Sequence, residues 1–411
     1  MLSIVKPFIP LAALATLAGA MGFAPKIGPI VLGAAVLAAL LPMSHTGWTP
    51  GPREAVRAAF EAIAPGPGAR LPLLVIGLFL VVCGLSLFWV PEANFALART
   101  VRLLGFFLVA VLYGLIFARA GGVPGRFLRP MAWLAVAGFA LAGLCMALSF
   151  ALIVPGKVSP DGFVNRAVVV FSLSVFAFSA YIWAADWPRA LKSGLTALVV
   201  TCGFALSLSS NSQTSTMALG FGLLAVLVFG FAAPGLRRLL VWTAAGSGLA
   251  MPLLICAVEA LPKSLFSAAF FQHSSALDRL AIWRSYLVLV RERPLLGWGL
   301  EGSRNFDPAL LSSPVTAAQA AHFSTHPHNA FLQMWTDLGL AGALAFCALV
   351  VLLGLRIEKT RAESRAPIYG LFVGIVATSA ISHGAFQSWW MASMAILIVS
   401  VFPLADPEDR T

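Results

Sequence analysis

The run HPHNAFLQMWTDLGLAGALAFCALVVLLGL, residues 326–355, opens with two imidazoles, an amide pair and a carboxylate, and continues as an unbroken apolar segment. About 17 to 25 apolar residues suffice for a helix to cross a bilayer, so the run reads as a membrane-spanning helix with a polar mouth. Polar and ionisable groups near lipid are expensive and are kept for pairing, for pathways or for chemistry. Function is therefore expected at Thr325 to Gly339.

Comparable apolar runs recur along the whole chain of 411 residues, near 7–23, 27–43, 71–91, 101–118, 131–154, 167–185, 190–208, 213–233, 239–260, 328–355, 367–383 and 385–404. The reading is an all-α integral membrane protein of about twelve transmembrane helices, one polytopic domain over 1–411. Composition agrees: 10% of residues are charged, against roughly 25% in soluble domains, and 60% are hydrophobic. The formal net charge of +11 points to nucleic acid only in a soluble protein, and no nucleic-acid partner is expected here. Cys83, Cys145, Cys202, Cys256 and Cys347 all lie inside apolar runs, without metal-ligand spacing, and read as small core residues. The first 20 residues resemble a cleavable leader, but a second span follows at once, so a retained first helix is expected.

Basic residues accumulate on the cytoplasmic side of membrane proteins. With the N-terminus inside, Arg53, Arg57, Arg70, Arg119, Arg126, Arg129, Arg189, Lys192, Arg237, Arg238, Arg356, Lys359, Arg361 and Arg365 all fall inside, and both termini are cytoplasmic. The outer side then has short turns and one long segment, 261–327, between the ninth and tenth spans. Long loops are uncommon without a task. This one carries Lys263, Arg279, Arg284, Arg291, Arg293 and Arg304 where basic residues are normally scarce, and Arg99, Arg102 and Arg166 join them from shorter outer turns.

Within the loop, Ser275 followed three residues later by Asp278 marks a helix start, and Leu280, Trp283, Leu287 and Val290 recur at helical spacing up to Pro294. An amphipathic helix over 276–293 is predicted, with Arg284 and Arg291 on one face and Arg279 to the side. Arginine suits phosphate because its planar fork meets two oxygens at once. The plain alternative is a surface helix whose arginines touch lipid phosphate or water. Pro294-Leu295-Leu296-Gly297-Trp298-Gly299 follows as a tight turn that brings backbone close to a ligand.

At the helix mouth, His326 is expected as the cap, Pro327 at the first helical position and His328 in the first turn. The positive end of the helix dipole attracts anions and disfavours imidazolium, so His328 is expected to be neutral and able to accept a proton. The bland reading is two interfacial histidines bonded to backbone. Metal binding is not expected, since no third or fourth ligand is placed by spacing. Asn329, Gln333 and Asp337, four residues apart, form a polar stripe that must face protein or water. Two outer turns add Asn165-Arg166 at a span start and the serine-rich 207–214 turn with Gln213.

Together these residues resemble the O-antigen ligase and polymerase superfamily of bacterial envelopes. The specific matches are Trp283-Arg284 with Pro294 to Gly299, and His328-Asn329 with Leu332-Gln333 and Gly339. The resemblance implies a metal-independent, cofactor-free glycosyltransferase of the inner membrane, its active site facing the periplasm. Its donor would be an undecaprenyl-diphosphate-linked glycan and its acceptor a sugar hydroxyl of the lipid A-core. The family's essential histidine and loop arginine fall on His328 and Arg284. Arg166, Arg279, Arg291, Asn165 and His326 are expected around the diphosphate, with Asn329, Gln333, Asp337 and Gln213 in support. Two positions depart from the family pattern: Gln213 stands where a basic residue is common, and Asp337 where Glu is usual. Direct displacement would invert the anomeric carbon. The sister polymerases resemble this layout but with two large outer loops, which favours the ligase. A transporter of lipid-linked sugars would use the same arginines and no base.

Overall fold

A computed structural model describes residues 6–24, 26–40, 70–91, 93–120, 122–153, 160–210, 212–261, 276–304, 306–324 and 326–406. The expected helix cap at Ser275 and the basic residues Arg53, Arg57 and Lys263 lie outside them. Among the described residues the secondary structure is helical, with one isolated bridge between Thr360 and Ala405.

Among the described residues eight helices are long and apolar enough to cross a membrane, nine if a bent pair counts as one span. The chain is a multi-pass membrane protein. Two short apolar helices come first, α1 (Ile9–Ala20) and α2 (Gly28–Leu40), followed by α3 (Arg70–Leu85), α4 (Ala93–Ala120) and α5 (Leu128–Ile153). The next, α6 (Pro160–Ala184), is the buried axis: 89% of its apolar window lies inside the protein, against 17% for α3. Around it run α7 (Arg189–Ser209) and α8 (Gln213–Phe231). Helix α3 instead turns Leu71, Leu74, Leu78 and Val81 outward, as a helix facing hydrocarbon does.

The expected ninth span, 239–260, is not one straight helix. It breaks into α9 (Pro234–Leu249) and α10 (Met251–Glu259), bent by 71°. Pro252 explains the break: it lacks the N–H that a continuous helix would bond back to Gly248, and its ring would clash there. After the break come α11 (Ala276–Glu292), the short α12 (Ala317–Ala321), α13 (Ala330–Arg356), α14 (Ala362–Ile381) and α15 (Ser388–Ser400). The amphipathic pattern in the long loop is therefore realised as α11. Its Leu280, Leu287, Leu289 and Val290 form a satellite core with Ile255 of α10, with Trp298, Phe306 and Phe323 of the loop, and with Leu332 of α13.

The bundle has two chemically different ends. At one end Arg237 holds Glu358 through two bonds of 2.7 and 2.9 Å, Tyr369 donates to the same carboxylate at 2.6 Å, and Arg361 bonds the Val123 carbonyl at 2.6 Å. At the other end Lys26 after α1, Arg99 and Arg102 of α4, Arg166 of α6, the loop after α11 and the α14–α15 connection come together around His326, at the polar mouth of α13.

Candidate functional site

The site is organised by a break in α13. Gly339 leaves helical geometry with φ 63° and ψ −157°, and the Pro294–Gly299 turn docks into the gap, main chain against main chain. Leu340 N donates to the Pro294 carbonyl at 2.9 Å, Trp298 N to Thr336 O at 2.9 Å, and Gly299 N to Asp337 O at 2.7 Å. Only glycine fits at two of these positions. A Cβ on Gly297 (φ 65°) would lie 2.5 Å from the Asp337 carbonyl carbon, and one on Gly339 2.3 Å from that of Leu295.

The polar stripe of α13 faces protein and fastens this arrangement. Asn329, Gln333 and Asp337 are all buried. Asp337 accepts from Ser303 N at 3.1 Å and from Gln333 Nε2 at 3.2 Å, while Gln333 Oε1 accepts from Ala385 N at 2.8 Å. One carboxylate and one amide thus tie the loop, α13 and the α14–α15 connection together. In a sparsely hydrated interior such a satisfied network gives a single geometry.

The helix start differs from expectation. Asn329, not His326, is the cap: its side chain accepts from Leu332 N at 3.0 Å, and α13 begins at Ala330. The side-chain oxygen of Asn is a better partner for the free N–H groups of a first turn than imidazole. The His-Pro-His segment is left outside the helix, with His328 in the left-handed region at φ 53°. Backbone strain of this kind persists where surrounding structure holds it and is common at functional sites. Trp283 supplies part of that hold, donating from Nε1 to the Pro327 carbonyl at 2.9 Å.

The His326 and His328 rings lie 4.3 Å apart between centroids, tilted by 34°. Nδ1 of His328 is 3.0 Å from the Ser382 carbonyl, which can only accept, so Nδ1 carries the hydrogen and Nε2 keeps its lone pair. Gln387 Nε2 donates to His326 Nε2 at 3.1 Å. Burial is the main cause that lowers the pKa of both rings. For His326 the neighbouring His328, Arg304 and Arg166 add to it and push the value down to about 3. For His328 the bond to Ser382 opposes the shift and Arg279 adds to it. Both rings are neutral at neutral pH, through burial first rather than through a helix dipole. His383 belongs to the same group: it packs against Trp389 and Trp390, its Nε2 is buried without a partner among the described residues, and burial lowers its pKa to about 3.

Beside His326 opens a polar cavity of about 490 Å³. Lys26, Arg99, Arg102, Arg166 and Arg304 line it, with Glu301 the one acid among the described lining residues. Arg166 also stacks over Trp389, 5.5 Å from the ring centre. Next to Arg166 on α6, Asn165 has its Oδ1 buried without a hydrogen-bond partner among the described residues. A second, apolar cavity of about 270 Å³ meets the first at Phe386 and Met391. It runs between α13, α14 and α15 to the opposite end of the bundle at Arg356 and Lys359.

Of the residues singled out from sequence, the structure gathers His326, His328 and Arg166, with Arg279 close enough to influence His328 and His383. Arg284 is placed elsewhere. Its Nε is 3.1 Å from Glu259 of α10, and neither side chain lines the basic cavity. Arg291 lies on the same side, 3.5 Å from the Cys256 sulfur. Gln213 opens α8 and is exposed. No group of three or more His, Cys, Asp or Glu side chains suited to a metal occurs among the described residues. Sequence reasoning passed over Lys26, Ser382, His383, Gln387 and Trp389. Arg99, Arg102 and Arg304 had been visible as basic residues on the unexpected side, without a reason to converge.

This is the architecture of a helical membrane protein in which one neutral imidazole, His326, lines a cationic cavity and a second, His328, packs against it. Residues 193–347 match the family model described as O-antigen ligase, so this part of the chain is similar to that family. Proteins that carry the provisional name polysaccharide ligase are similar to it: 26% identical over 201 residues in Rickettsia conorii, 27% over 201 in Rickettsia bellii and 28% over 149 in Rickettsia prowazekii. The first two matches cover 48% of this chain and 48% and 49% of those relatives, and the third 36% and 37%. The chain thus aligns with about half the length, or less, of the curated relatives it matches.

Proposed function

We propose that this protein is a glycosyltransferase that moves a glycan from a polyprenyl-diphosphate carrier, undecaprenyl diphosphate in bacteria, to a sugar hydroxyl of the lipid A-core. The observation that carries the reading is the meeting of three environments at one place: a cationic cavity, an apolar cleft joined to it at Phe386 and Met391, and a neutral imidazole pair of which His326 lines the cavity and His328 packs against His326. A lipid-linked diphosphate is the substrate class with matching parts. Its charged head suits the arginines, its hydrocarbon suits the cleft, and its glycan extends outward past His326 and Trp389.

In the transfer, the acceptor oxygen attacks the anomeric carbon, the bond from that carbon to the diphosphate oxygen breaks, and its electron pair leaves with the diphosphate. His328 Nε2 takes the acceptor's proton, because Nδ1 is committed to Ser382. Arg99, Arg102, Arg166 and Arg304 stabilise the charge that develops on the leaving group, an effect strongest where water is scarce. Arg279 adds positive charge on the His328 side. Arg284 acts from a distance by holding α11 to Glu259, which fixes the neighbouring Trp283 against Pro327. Arg291 and Gln213 then take no direct part in the diphosphate site. The site faces the periplasm and both termini are cytoplasmic, since the basic connections at the opposite end follow the positive-inside bias.

Lipopolysaccharide gels of a strain lacking the gene test the reading. Bare core together with accumulated lipid-linked polymer is the expected pattern. Core carrying a single unit would identify a polymerase, and unaltered lipopolysaccharide would remove the proposal.

A further inference from the structure

Glu301 stands where an anion site has least use for a carboxylate. It lines the cavity among five basic side chains, its Oε2 is 2.9 Å from Arg99 Nη1, and its Oε1 is 3.8 Å from Arg304 Nη1. Both members of the Arg99 pair are largely buried, at 14% and 13% exposure. Nor is the position casual. Glu301 is one of only two non-glycine residues with positive φ among the described residues, at 52°. The loop on either side of it is tied down: Leu300 N bonds Ser86 Oγ at 2.9 Å, and Ser303 N bonds Asp337 at 3.1 Å. A strained backbone held from both sides to place a like charge inside an anion site calls for a purpose.

The chemistry supplies one. Cleavage of the glycosyl phosphate leaves its electron pair on the diphosphate, which therefore departs with one more negative charge than the donor brought in. A cavity of arginines alone would bind that product more tightly than the donor, and turnover would stall on release. A fixed carboxylate opposes the more highly charged species more strongly, and it competes with that species for the same guanidinium groups. We propose that Glu301 is a product-release residue, an internal counter-ion that reclaims Arg99 and Arg304 and so expels the lipid diphosphate. The proposal rests on the cavity being the diphosphate site.

The test is equilibrium binding of inorganic pyrophosphate, a soluble probe of the product head group, to the purified full chain in nanodiscs. Wild type is compared with Glu301→Gln and with Glu301→Asn. Asn tolerates the left-handed backbone and serves where Gln disturbs folding. Both variants are expected to bind pyrophosphate about tenfold more tightly than wild type, and Arg102→Gln more weakly. A gain in affinity is a result that structural damage does not produce. Unchanged or weaker binding by a variant that unfolds at the wild-type temperature overturns the role of Glu301 and leaves the cavity reading intact. Binding by none of the proteins overturns both.

Discussion

The Nδ1 atom of His328 donates to the carbonyl oxygen of Ser382 across 3.0 Å, and that bond decides which ring nitrogen is available for chemistry. Ser382 follows the last turn of α14, so the His328 ring is oriented by a helix distant in sequence. Replacement of His328 by Ala should lower glycan transfer by about a hundredfold to ten-thousandfold, the usual contribution of a positioned base. An in vitro transfer assay with the folded variant checks this, and near-wild-type rates would remove His328 from the mechanism.

Burial lowers the pKa of His328 below the ordinary histidine value of 6.5. The basic form therefore persists as pH falls through that value and is lost only at lower pH. The acid limb of kcat/KM should lie below pH 6.5, whereas a limb above it would indicate a different base. Stability has its own window. Between pH 6.5 and about 3 the unfolded chain takes up a proton at His326 that the folded protein refuses, so stability declines as pH falls across that range. His326→Gln should flatten this decline in thermal unfolding curves.

Arg284 and Glu259 form a half-exposed pair between α11 and α10. If the pair only holds the helices together, the reciprocal exchange Arg284→Glu with Glu259→Arg should restore most of the transfer lost in Arg284→Glu alone. Failure of the exchange, with folding intact, would return Arg284 to direct contact with the diphosphate. The stability difference itself should be small, below about 1 kcal/mol, as for other exposed pairs.

Gly339→Ala should destabilise the protein by roughly 2 kcal/mol or more, since the added Cβ meets the Leu295 backbone and the residue must keep a positive φ. Thermal unfolding and transfer rate should fall together, because the same contact seats the loop that carries Glu301 and Arg304.

Much of the fold was legible in the chain. Apolar runs located the spans because hydropathy and length are local properties, and the 276–292 helix followed from its periodicity. The bend at Pro252 was also written in the sequence, but an apolar run masks a proline that breaks it. The imidazole pair was legible as a local cluster. The cationic cavity was not, because Lys26, Arg99, Arg166 and Arg304 come from four separate parts of the chain, two helices and two connections, and meet only through packing. Arg284 drew attention through its spacing along α11, whereas its partner, Glu259, lies at the end of the broken span before it. His383 and Ser382 carried no local signal, since their importance comes from what α14 brings them against.

Because the Pro294–Gly299 turn is stitched into the interruption of α13 by main-chain bonds, the backbone that runs on to Leu300, Glu301 and Arg304 starts from a fixed anchor and does not swing aside as a hinged cover. On the proposed function, a lipid-linked donor would therefore reach the arginines by another route, along the greasy cleft that meets the cavity at Phe386 and Met391.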